Sequence, residues 1–195
     1  VSGLSTFVRA VLTATAIAIG TGVALGLFQT LGLAAEGVGN REDYGAVLQC
    51  LAAFLACSGF CVMYNVHGWG VVLCCLGGAL GWAVYLAMGM VTGSIYLRYL
   101  VAGIAIAAYA EAMARVRKYP ITAYLVVSFF PLVPGSYIYY AMYYAIQGQR
   151  QLFLESGIQA LGLASCLAIG TLLVSTTVRT CVTWRRERRM KRDTL

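Results

Sequence analysis

The residues best suited to chemistry cluster in one run, SFFPLVPGSYIYY, where Pro131, Pro134, Gly135 and Ser136 fall within six positions. The prolines carry no amide hydrogen, so a helix through this point deprives the carbonyls of Val127 and Phe130 of their usual donors, and Gly135 lowers the cost of unwinding there. A helix restarting at Gly135 and Ser136 turns its free amides and positive dipole end toward the break, which suits a carboxylate. The Ser136 hydroxyl adds a donor, and the two carbonyls are expected to accept from an ammonium. Binding of a small amino or carboxylic acid is the chemistry such a break supports; a proline-kinked helix that merely packs is the alternative.

The remaining candidates are scattered. Tyr139 lies one helical turn beyond Gly135, amid Tyr137, Tyr140, Tyr143 and Tyr144, and these rings suit either a substrate path or an aromatic belt at a membrane interface. Asn65 suits a hydrogen bond across helices or to a substrate. Glu111 is a carboxylate within an apolar run, where a proton-coupling role competes with an ion pair to Arg115 one turn on. Arg98 could meet a carboxylate bidentately or extend toward the membrane surface. His67 suits a proton relay or a plain turn residue.

Other chemistries lack their parts. Seven cysteines, Cys50, Cys57, Cys61, Cys74, Cys75, Cys166 and Cys181, form no CxxC pair, so neither a metal nor a disulfide framework is expected, and no cofactor motif appears. An intramembrane aspartyl protease needs two carboxylates sharing a proton, whereas Asp43 and Asp193 lie in flanking segments. Ser136 and His67 are the one conceivable nucleophile and base, and they are expected at different depths. Enzymatic activity is therefore not expected.

The elements that must hold these residues are long apolar segments. The chain has 195 residues, 61% hydrophobic and 11% charged, against about 25% charged in an ordinary soluble domain. An all-α, polytopic membrane protein is expected, with about six spans near 7–35, 46–66, 70–90, 95–113, 120–147 and 157–178, the fifth broken at the Pro/Gly run. A polar linker over 36–45 and a basic tail over 179–195 complete the expected division. With both termini in the cytoplasm, eleven Lys and Arg face inward (Arg9, Arg115, Arg117, Lys118 and seven from Arg179 to Arg192) against three outward (Arg41, Arg98, Arg150), as the positive-inside rule requires. The net charge of +7 thus reads as topology and lipid contact; nucleic acid is not expected. AIGT occurs at both 18–21 and 168–171, on segments expected to run in opposite directions, as in inverted repeats.

The run Phe130, Pro131, Leu132, Val133, Pro134, Gly135, followed by Tyr139 and Ala141-Met142, resembles the FPxxPG signature of the threonine/serine exporter family (ThrE), specifically its YjjB-type half. FCVMYNV, ending at Val66, and KYPITAYLVVSFFPLVPG resemble the same half, and the agreement extends over about 46–178. The family often has proline where this chain has His67. The first segment resembles the last helix of the YjjP-type half, so the chain is expected to be the C-terminal part of a fused exporter. The resemblance implies a secondary transporter in the plasma membrane that exports threonine, serine or small carboxylates such as succinate. It implies the lipid bilayer and a YjjP-type half as partners, and self-association is compatible with it. A non-transporting membrane scaffold is the alternative.

Overall fold

The computed structural model describes residues 45–118 and 120–193, with side chains to 181 and at Trp184, together with Val8, Ile19 and Val23. The chain divides into two compact units, 1–43 and 44–195. In the first, the three described residues are helical and exposed; the expected first span, the linker through Arg41 and the first AIGT copy lie outside the described residues.

In the second unit every described element is helical: α1 (Ala46–Met63), α2 (Trp69–Val91), α3 (Ile95–Arg117), α4 (Ile121–Phe129), a 3-10 turn (Phe130–Leu132), α5 (Gly135–Ile146) and α6 (Arg150–Asp193). Four of them are long and apolar enough to cross a membrane, and the pair α4 and α5, bent by 59°, makes a fifth crossing if taken as one span. The remaining expected span, 7–35, lies outside the described residues.

Short connections set the order of packing. Between α1 and α2 the chain turns through Asn65 and Gly68, both with positive φ (56° and 64°), and the indole Nε1 of Trp82 donates to Gln49 Oε1 at 3.3 Å, so the two helices are antiparallel. At the far end of α2, Arg98 donates from Nε to Thr92 O at 3.0 Å and from Nη2 to Gly89 O at 3.3 Å. A helix C-terminus leaves carbonyls unpaired and negative, and the guanidinium satisfies two of them. This capping contact stands beside the expected readings of Arg98 as a substrate clamp or a surface-directed cation.

Close approach is made possible by glycines on α2. An added Cβ at Gly77 would collide with Ser128 Oγ and with the Tyr109 ring, one at Gly78 with Cys57 Sγ, and one at Gly81 with Ile106 Cδ1. The absent side chains let α1, α3 and α4 pack on α2 at backbone distance, which is how membrane helices gain contact without a hydrophobic driving force. Two hydroxyls fill the same seam: Ser128, fully buried, donates to Cys74 O at 3.2 Å, and Tyr109 Oη donates to Leu73 O at 2.9 Å.

α3 and α6 run parallel. Gly162 faces Tyr96, while Gly170 faces Leu100 and Ile104, so ascending residues of one helix meet ascending residues of the other. The expected loop over 148–156 is shorter in the structure, because Gly148 reverses the chain at φ 71° and α6 begins at Arg150. Nor does this helix stop at 178; it continues to Asp193 through a tail of Arg, Lys, Glu and Met, all good helix formers.

Candidate functional site

The break between α4 and α5 is built by two prolines acting differently. Pro131 stands in the first turn of the 3-10 segment, where a missing amide costs little. Pro134 acts on its neighbour: the residue before a proline is pushed out of the helical region, and Val133 is extended at φ −62°, ψ 127°. Pro134 itself, at φ −74°, ψ 53°, is the centre of an inverse γ-turn, in which the Gly135 amide donates to Val133 O at 2.7 Å. The chain re-enters a helix at Gly135.

The depth of the break follows from its neighbours. Cys74 receives the Ser128 hydroxyl, Gly78 lies beside Pro131 and Gly81 beside Leu132, so α2 and α4 run parallel. Gly81 is the thirteenth of 23 residues in α2, and Ile106, which also meets Gly81, is the twelfth of 23 in α3. A 23-residue helix is about 34 Å long, close to the roughly 30 Å thickness of a hydrocarbon core. The break is therefore level with the middle of the two spans beside it.

One expectation is corrected at this point. The carbonyls of Val127 and Phe130 are not left open: Val127 O accepts from the Phe130 amide and from the Cys57 thiol at 3.4 Å, and Phe130 O accepts from the Val133 amide at 3.2 Å. Val127 is fully buried, and with both lone pairs engaged its carbonyl has no capacity left for an ammonium. The donor side of the break is different. The N-cap of α5 is Pro134, which has no side-chain hydrogen bond to offer, and the first bond inside the helix runs from Ile138 N to Pro134 O at 3.2 Å. The amides of Ser136 and Tyr137 are those that a helix start leaves for an outside acceptor.

The named residues sort by position. Pro134 is buried, Pro131 and Ser136 are half-buried, and Gly135 is exposed, with nothing among the described residues within 4 Å of an added Cβ. On the same face of α5, Tyr139 is 65% exposed and stacks on Tyr143 with ring centroids 6.3 Å apart, so Gly135, Tyr139 and Tyr143 form an open strip leading away from the break. Behind the break, Phe130 stacks on Phe60 at 3.4 Å between centroids.

Other candidates lie elsewhere. Asn65 is exposed in the α1–α2 turn, where its carbonyl meets His67 Nδ1 at 2.8 Å. Glu111 Oε2 is 3.4 Å from Arg115 Nε, the i, i+4 ion pair weighed against a coupling role. Arg98 caps α2. Sequence reasoning passed over Ser128, whose polarity within the apolar run AYLVVSFF was the available signal. It also passed over a small cavity, about 30 Å³, lined by Val66, His67, Gly70, Cys74, Arg117, Ala123 and Tyr124. These residues come from three separate stretches, 66–74, Arg117 and 123–124, and no local pattern unites them.

No curated protein and no solved structure matches the chain. The family model described as Threonine/Serine exporter, ThrE, matches residues 49–177, which takes in α1 from its fourth residue, α2 to α5 with the whole of the break, and α6 as far as residue 177. With that match over most of its length and a mid-depth break carrying FPLVPG, the chain belongs to the threonine/serine exporter family, as a multi-pass membrane transporter.

Proposed function

We propose that this chain is one half of a two-half carrier that exports threonine, serine or a small carboxylate across the plasma membrane, with both termini in the cytoplasm. The observation that carries this reading is the one-sided break. At mid-depth, α5 presents uncapped amides at Ser136 and Tyr137 beside the Ser136 hydroxyl, and among the described residues the face bearing Gly135 and Tyr139 has no wall. A substrate carboxylate would take these donors, as anions do at helix starts. A YjjP-type half would supply the second wall and the acceptors for the ammonium, since the Val127 carbonyl is engaged. Orientation is supported by the parallel run of α3 and α6, which brings Arg115, Arg117 and Lys118 to the same end as the basic stretch after Arg179.

The test is release of preloaded labelled threonine, serine and succinate from cells producing this chain alone or with a YjjP-type partner. Export that requires the partner is the expected result, and the preferred label identifies the substrate class. Membrane insertion without export of any of the three, with the partner present, would overturn the proposal.

A further inference from the structure

The small cavity lies at the end of the bundle opposite Arg98, between the α1–α2 turn, the start of α2, the end of α3 and the start of α4. Its polar lining carries positive charge. Glu111 is drawn to Arg115, and among the described residues Arg117 has no ion pair or hydrogen bond, nor does any carboxylate line the cavity. His67 stands at the same opening with Nδ1 against the Asn65 carbonyl at 2.8 Å. A ring nitrogen facing a carbonyl must carry the proton, which leaves Nε2 of the neutral ring an acceptor, so the donor that the opening offers an anion is Arg117. The walls, Val66, Ala123 and Tyr124, are apolar or aromatic.

We propose that this cavity is a docking site for a small carboxylate at the inner face, separate from the break and reached before it. The volume of about 30 Å³ admits a carboxylate group but not a whole amino acid, so the group enters toward Arg117 while the rest of the molecule stays in solvent. A guanidinium facing a carboxylate forms a charge-assisted, often bidentate pair. The site bears on the break because α4 links them: Ala123 and Tyr124 line the cavity, and the 3-10 turn begins six residues beyond Tyr124, at Phe130. The placement at the inner face, the order in which site and break are reached, and the identity of the natural carboxylate rest on the transport reading above.

A cysteine placed in the cavity wall tests this without relying on export. Ala123→Cys, in a chain whose Cys50, Cys166 and Cys181 are replaced by Ser, is labelled with a membrane-impermeant maleimide in inside-out vesicles. Threonine or succinate is expected to slow labelling, whereas threoninamide and chloride at equal ionic strength leave it unchanged. Arg117→Gln should raise the protecting concentration about tenfold or more, as loss of a charge-assisted hydrogen bond implies, and Arg117→Lys should restore part of it. Equal labelling rates with and without either carboxylate would overturn the site. Protection in a chain that exports nothing even with a YjjP-type partner present would overturn the transport reading and leave the site standing.

Discussion

Gly135 is open space on its side-chain face, and its backbone needs no positive φ, which falls instead on Gly68 and Gly148. A Cβ added there meets no neighbour among the described residues, so a larger side chain is expected to leave the fold intact. Gly135→Leu is therefore expected to reach the membrane at normal levels and melt normally, while abolishing export by covering the α5 amides; undiminished export would remove the break as the substrate site. The contrast is Gly77, where any side chain collides with Ser128 and Tyr109. Overpacking of that kind costs about 1–3 kcal/mol or more, so Gly77→Leu should lower the thermal midpoint in detergent, and an unchanged midpoint would show that the seam can open. Glu111→Gln should leave export within about twofold, since a pair with a half-exposed partner contributes little. Collapse of export in that variant would assign Glu111 a coupling role.

Of the chemistry at residue level, the donors of the break were legible and the acceptors were not. Proline positions alone show which carbonyls a helix would orphan, but Cys57, 70 residues away in sequence, is what reoccupies Val127. Only packing reveals that.

At the scale of elements, the long apolar runs announced themselves, and the starts at Ala46, Ile95 and Gly135 coincide with the expected ones because glycine, proline or serine precedes each. The two ends of α6 were misjudged for one reason. Polar stretches such as RQLFLES and RRERRMKR read as loop or tail beside a membrane span, yet their residues favour helix, and a helix already nucleated is extended cheaply. The bend between α4 and α5 is an element-level property of Pro134 through its effect on Val133. Pro134→Ala lifts that restriction and supplies an amide, so the 59° bend should relax. Spin labels at the exposed positions Thr122 and Ile146 should then move apart in pulsed distance measurements. An unchanged distance would place the cause of the bend in the packing of α5 on α6.

For the whole molecule, the composition and charge asymmetry were sufficient to read a multi-pass helical protein, since both are sums over the chain and do not depend on contacts. The cavity at the end opposite Arg98 was illegible because it is made where three separate stretches converge. Sidedness is the property to test at this scale. α6 contains 32 residues, Arg150–Cys181, that pass the criteria for a span, and at 1.5 Å each they reach about 48 Å, enough to cross with tilt or overhang. Cys181, which is exposed, should react with an impermeant maleimide in inside-out vesicles only, and Gln151→Cys in intact cells only. Labelling of both from one side would mean that α6 does not cross.

The inverse γ-turn also limits how the two arms of the broken span can move. Between Leu132 and Gly135 there are four backbone torsions. The ring of Pro134 locks one of them, and the pre-proline position with its β-branched side chain restrains both at Val133. What remains free is essentially ψ of Pro134, now at 53°. Any displacement of α5 against α4 is thus a rotation about a single bond, with the 12-residue helix as a rigid arm. At about 18 Å of length, a 30° turn would carry its far end by roughly 9 Å while Gly135 scarcely moves. The break has one mechanical degree of freedom, and its pivot adjoins the amides that would hold the ligand.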